Sequence, residues 1–188
     1  YCWLAIIPPA YCLDTINNAA EHKLDDTNTR ISFEVDTTWH LVKGKTSGIT
    51  GRLWRETPGD DASIRAEIMI PVASFDTDSE SRDKELRSSM AAEQFPNVSL
   101  NVEQIDRACM PASLGSSESC TGQMTASLTI RDVRKELILP YQLRKGPKGL
   151  EVSGSVAFGW LAFHVKDPSI LIARVHKDVL VRYACTIK

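Results

Sequence analysis

The sequence holds 188 residues, enough for one domain, and carries a net charge of −2 at pH 7, so neither a nucleic-acid surface nor a polybasic membrane patch is expected. Apolar residues make up 43% and charged residues 24%, a balance that excludes a disordered chain and suffices for a core. No apolar run reaches the ~18 residues of a membrane-spanning helix.

Residues 1–13, YCWLAIIPPAYCL, are apolar, are broken by Pro8 and Pro9, and have no basic leading segment. They read either as the remainder of an export signal or processed anchor, or as part of an arm. That arm, residues 1–20, would pack on the domain at 21–188 or on a membrane-associated partner protein. ISFEV at 31–35 alternates, with Ile31, Phe33 and Val35 on one face. Residues 36–44, ahead of Gly44, form a helical candidate. SGITGRLW at 47–54 is a strand pattern with two glycines, as where a strand bends or bulges. IRAEIMI at 64–70 puts Ala66 and Ile68 on one face with Ile64 and Ile70.

The one clear helix covers 77–91. Thr77 and Glu80 have the spacing of a capping box, and acids crowd the first turn, where the helix dipole favours them. Glu80–Lys84 and Asp83–Arg87 are i,i+4 pairs worth about 0.3 kcal/mol each. Leu86 and Met90 share a face, and Pro96 opposes continuation. Strand patterns resume at 98–105 (Val98, Leu100, Val102), 124–130 (Met124, Ala126, Leu128, Ile130), 137–143 (Leu137, Leu139, Tyr141, Leu143), 150–158 and 170–187. Together these patterns predict an all-β fold, an antiparallel barrel or sandwich of about eight strands.

Five cysteines are present. Cys109 and Cys120 bracket a polar loop between two strand patterns, and a disulfide there would contribute about 3 kcal/mol in the chain-entropy account. Cys2 and Cys12 are available for a second bridge, while Cys185 sits in the last strand pattern as a small buried residue. No CxxC or zinc-type spacing occurs, which favours an oxidising compartment.

Asp76, Asp78 and Glu80 are spaced like the start of a calcium loop, but the glycine and closing glutamate such a loop needs are missing. Helix capping accounts for the same acids. His22, His40, His164 and His176 are scattered, and no nucleophile motif or phosphate loop occurs. An enzyme would need the fold to assemble a pair such as His40 with Asp36 or His164 with Asp167. No catalytic residue, metal site or cofactor is expected.

What remains is the apolar face. A barrel of eight strands is just wide enough to be filled by side chains or to hold one small ligand. Small or medium inward candidates such as Ala66, Ala126, Val152, Gly154 and Val156 suit an open lumen, and a solid core would use the same residues. Alternation gives the lumen-lining candidates: Phe33, Val35, Ala66, Ile68, Leu100, Val102, Ala126, Leu128, Leu139, Tyr141, Val156, Phe158, Trp160 and Phe163. The group Trp160, Leu161 and Phe163 would plug the barrel, line it, or form an exposed patch.

ISFEVD, VKGKTSGITGRL, IPVASFDT, SRDKELRS, FPNVSL and GQMTASLTIRDVRKELILPYQL follow one another in an order that resembles the YceI-like family of bacterial periplasmic or secreted lipocalin-like proteins. The resemblance runs from about His22 to Lys188. It rests on Asp76-Thr77, Arg82-Asp83, Leu86-Arg87 and Phe95-Pro96, and on Gly122 with Leu128-Thr129-Ile130-Arg131. It implies an eight-stranded lipocalin-like barrel with a helix near one end and an elongated lumen for a polyisoprenoid or similar long-chain ligand. It implies no catalytic residue. Three places depart from the family pattern: SSMAAEQ at 88–94 is short and lacks aromatics, Asp132 stands where glycine is common, and FGWLAFHVKDPSI occupies 158–170. A second functional reading makes the barrel an interaction subunit of a membrane-associated periplasmic assembly.

Overall fold

The computed structural model describes residues 21–114, 119–167 and 174–188. The arm at 1–20 with its Cys2–Cys12 bridge, and the start of the last strand pattern at 170–173, lie outside the described residues. Ten strands form one antiparallel sheet: β1 (His22–Asp25), β2 (Thr29–Thr37), β3 (Leu41–Lys45), β4 (Thr50–Arg55), β5 (Ile64–Pro71), β6 (Asn97–Ile105), β7 (Ser119–Ile130), β8 (Val133–Gly146), β9 (Gly149–Gly159) and β10 (Val175–Ile187). The one α-helix among the described residues, α1 (Glu80–Ser89), lies between β5 and β6.

The spatial order is β1-β4-β5-β6-β7-β8-β9-β10-β2-β3. The strand count is ten rather than the expected eight because two long strands are each broken once. One runs through β1 and β2 and breaks at 26–28; the other runs through β3 and β4 and breaks at 46–49. The halves still pair with each other, Asp25 with Thr50 and Ser32 with Lys45. Because β1 at one edge continues directly into β2 near the other, the sheet curls round on itself. The backbone groups freed at the breaks find local partners, as buried polar groups must. The Asp26 carboxylate accepts the N–H groups of Gly48 (2.7 Å) and Ile49 (3.0 Å), and Asn28 Nδ2 donates to the Lys23 carbonyl (2.7 Å). Gly48 has φ +67°, a conformation that favours glycine.

Residues 36–44 do not form the expected helix. β2 runs to Thr37, a tight turn follows in which the Thr37 hydroxyl donates to the His40 carbonyl (2.6 Å), and β3 pairs back along β2. The segment is too short to nucleate a helix, and the ladder of β2 offers it partners. Gly44 belongs to that ladder, since a Cβ there would lie 2.1 Å from the Phe33 ring.

The helix is shorter than expected and is capped differently. Asp78 turns the chain at φ 58°, Ser79 is the N-cap, and the Ser79 side chain makes no capping bond. Thr77 instead donates its N–H (2.9 Å) and hydroxyl (2.6 Å) to the buried Asp83 carboxylate, while Arg82 holds the Thr77 hydroxyl (3.1 Å) and carbonyl (2.6 Å). Glu80 is exposed, and among the described residues neither Glu80–Lys84 nor Asp83–Arg87 closes as an ion pair. Asp83, Leu86 and Met90 lie at helical spacing on the inner side of α1, so Asp83 points back at Thr77 rather than out to Arg87. The helix is laced to the sheet through the preceding stretch. Lys45 and Asp76 exchange backbone hydrogen bonds (2.9 and 3.0 Å), and the Lys45 ammonium pairs with Asp76 (3.2 Å) and Asp78 (3.5 Å). The acids that suggested chemistry therefore anchor a connection.

Three clusters of buried side chains follow the long axis. At the α1 end are Ile49, Ile70, Val72, Met90, Val98, Leu128, Ile130 and Phe163. In the middle are Leu24, Ala66, Val102, Ala126 and Leu139. At the far end are Cys109, Leu114, Tyr141 and Leu143, beside the disulfide Cys109–Cys120.

Candidate functional site

Between the walls lies an apolar cavity of about 330 Å³. That is about twice an engineered cavity of ~150 Å³ that stays dry and takes up benzene, and it sits at the small end of the range for ligand pockets. It runs past all three clusters, from Leu86 and Met90 of α1 to Cys109 and Met110 at the disulfide end. Strand alternation produces the lining. In β10, for example, Val179, Val181, Tyr183, Cys185 and Ile187 face inward at every second position.

A single rung across the sheet shapes the wall. Gly122 on β7 pairs with Tyr141 on β8, Tyr141 with Gly154 on β9, and Gly154 with Tyr183 on β10. The rings stand over the glycines, where a Cβ would come within 2.8 Å of Tyr141 and 2.4 Å of Tyr183. Both hydroxyls find backbone carbonyls: Tyr141 donates to Cys109, and Tyr183 donates to Pro140 at 2.6 Å. Burial, helped by the nearby Asp106 charge, pushes the Tyr141 hydroxyl up to about 12, and burial raises Tyr183 as well. Burial also raises the Cys185 thiol, against a smaller opposing effect of the Thr29 hydroxyl (3.7 Å). No Asp, Glu, Lys, Arg or His is among the lining residues.

The residues expected at the lumen converge here. Phe33, Val35, Ala66, Ile68, Leu100, Val102, Leu128, Leu139, Tyr141, Val156, Phe158 and Trp160 all line the cavity. Ala126 and Phe163 do not: Ala126 is sealed in the middle cluster, and Phe163 backs Phe158 edge-on with ring centroids 5.5 Å apart. Trp160 is buried and its indole N–H donates to the His176 carbonyl (2.7 Å). An exposed patch built on Trp160 and Phe163 is therefore ruled out. Sequence reading missed the contributions of Leu24 and Leu53 from β1 and β4, of Ser89 on α1, and of the inward residues of β10. Alternation in VHKDVLVRYACTI would have found the last group, and a helical wheel through Leu86 and Met90 would have found Ser89.

Of the candidate catalytic pairs, His40 and Asp36 are both exposed. His164 Nδ1 stands 3.5 Å from Asp132 on open surface, beside Arg131, whose φ is 56°. Among the described residues, no group of three or more His, Cys, Asp or Glu side chains is arranged to hold a metal ion.

The profile of the YceI-like domain matches residues 22–187. The chain belongs to the YceI-like family. Solved structures of similar fold include Burkholderia cenocepacia BcnA, at 17% identity and TM-score 0.68 over 85% of this chain and 96% of that one. A polyisoprenoid binding domain from Saccharophagus degradans aligns at 11% identity and TM-score 0.64 over 90% and 99% of the two chains. The Campylobacter jejuni YCEI protein aligns at 18% identity and TM-score 0.57 over 78% and 85%. No curated protein matches the chain. In YceI-like terms, α1 and the rung of tyrosines bound the interior of a curled sheet, and SSMAAEQ meets the described part of FGWLAFHVKDPSI: the Lys166 N–H donates to the Ser89 carbonyl at 3.1 Å.

Proposed function

We propose that this YceI-like protein is a non-catalytic carrier that holds a long-chain hydrophobic ligand, a polyisoprenoid or similar lipid, in the cavity. The observation that carries this reading is an elongated void lined by aliphatic and aromatic side chains with no ionised group. Family membership and the Saccharophagus degradans neighbour, described as a polyisoprenoid binding domain, support it. The disulfide supports a periplasmic or secreted location. Organic extraction of the purified protein followed by mass spectrometry tests the proposal. A stoichiometric long-chain lipid is expected, and a lipid-free protein that takes up none when offered it overturns the reading.

A second reading, an interaction subunit docked on a membrane-associated assembly through residues 1–20, draws on Trp39 and Leu41. They stand 71% and 46% exposed at the tip of the β2–β3 hairpin. Co-purification before and after deletion of residues 1–20 and substitution of Trp39 separates the two readings.

A further inference from the structure

Seven residues that line the cavity carry a side-chain nitrogen, oxygen or thiol: Thr29, Thr46, Ser89, Tyr141, Trp160, Tyr183 and Cys185. Six are accounted for within the fold, Trp160 through the His176 carbonyl. Thr29 donates to Asn28 Oδ1 (2.9 Å) and also reaches Cys185, Thr46 donates to the Ile31 carbonyl (3.3 Å), and the two tyrosines donate to Cys109 and Pro140. Ser89 is the exception. It is 2% exposed, it faces the cavity from the last turn of α1, and its hydroxyl has no hydrogen-bond partner. A serine inside a helix ordinarily bonds back to the preceding turn, and a buried hydroxyl left unpaired is costly. A water molecule is a poor partner here, because it needs two or more polar neighbours, the cavity lining carries no charged side chain, and its other polar side chains are bonded within the fold.

We infer that Ser89 is the anchor for the polar end of the bound chain, and that this end is an uncharged oxygen function, a hydroxyl or a carbonyl. The inference rests on the carrier reading and adds the ligand's orientation and head chemistry. A hydroxyl can donate to a carbonyl or accept from an alcohol, so either head satisfies Ser89. An anionic head is disfavoured twice. No cationic side chain lines the cavity, and Ser89 sits at the carbonyl end of α1, where the helix dipole repels negative charge. With its head at Ser89, the hydrocarbon runs along the middle cluster toward Cys109 and Met110.

The test uses the full chain stripped of lipid, with N-phenyl-1-naphthylamine as the displaced fluorescent probe and 1-dodecanol, dodecane and dodecyl phosphate as competitors. In the wild type, dodecanol displaces the probe at least tenfold more effectively than dodecyl phosphate. Ser89→Ala weakens dodecanol about tenfold and leaves dodecane unchanged, the size expected for one lost hydrogen bond. The melting temperature of Ser89→Ala does not fall, because the substitution removes no existing bond. An S89A variant that weakens dodecanol and dodecane equally, or neither, overturns the anchor, as does equal binding of alcohol and phosphate. Those outcomes leave the carrier reading standing. Failure of all three competitors to displace the probe overturns the carrier reading and the anchor with it.

Discussion

Tyr183 owes its position to a residue with no side chain. Gly154 opposite it is the only kind of residue that leaves room for the ring, since a Cβ there would lie 2.2 Å from the Pro140 carbonyl oxygen and 2.4 Å from the Tyr183 hydroxyl. Gly154→Ala therefore forces the wall apart. The expected cost is about 3 kcal/mol, a fall in melting temperature of about 6–12 °C for a domain of this size, read by calorimetry. Tyr141 gives the protein an alkaline limit. Its hydroxyl titrates at 10.0 in the ordinary state and at about 12 in the fold. The folded form keeps a proton that the unfolded chain releases, so stability is intact below pH 10 and falls as pH rises toward 12. Urea midpoints at pH 8 and pH 11.5 should show the loss, and Tyr141→Phe should reduce it, the remainder coming from Tyr183, which burial also raises. Sequence alternation found Tyr141 and marked Gly154 as small and inward. It could not find the rung, because the pairing of Gly122, Tyr141, Gly154 and Tyr183 depends on the registers of four successive strands, which alternation alone does not set.

At the scale of elements, the helix shows how a correct element can rest on a mistaken contact. The capping signal at Thr77 is real, but its partner is Asp83 rather than Glu80. Asp83→Ala should cost about 2 kcal/mol in urea unfolding, because it strips two donors of a buried charged acceptor, while Glu80→Ala should change stability by less than about 0.5 kcal/mol. Equal effects would restore the capping box. All eight strand patterns overlap observed strands, and they and the Cys109–Cys120 bridge were legible because period-two patterning is local and a cysteine pair across a loop has few alternatives. Of the two strand breaks only the one at 46–49 left a glycine in the sequence, Gly48; the one at 26–28 left none. What fixes them is Asp26, and a carboxylate capping a bend 22 residues away leaves no local trace.

At the scale of the whole molecule, the decisive property is that the interior is not full. Sequence alone left an open lumen and a solid core equally consistent, because the same aliphatic residues serve both and the difference is a volume summed over ten strands. Ala66, 6% exposed in the middle cluster and on the cavity wall, offers the direct test. Ala66→Phe places a ring across the path of any chain lying along the axis. Lipid recovery should fall at least tenfold while the far-ultraviolet circular dichroism is unchanged. An unaltered lipid content would place the ligand elsewhere.

The break at Asp26–Asn28 also bears on time. The strand that holds it pairs with β10, so that Phe33 meets Val181 near the other end of the chain. Such long-range pairing makes closure slow, on the scale of milliseconds to seconds. Until β10 arrives, the side chains that will form the cavity face water along a trough. A greasy chain present during that interval is surrounded by the wall as it closes, ahead of any that enters the finished fold. Loading then becomes a step in the protein's own maturation, and refolding in the presence of lipid should capture more of it than mixing with the finished fold.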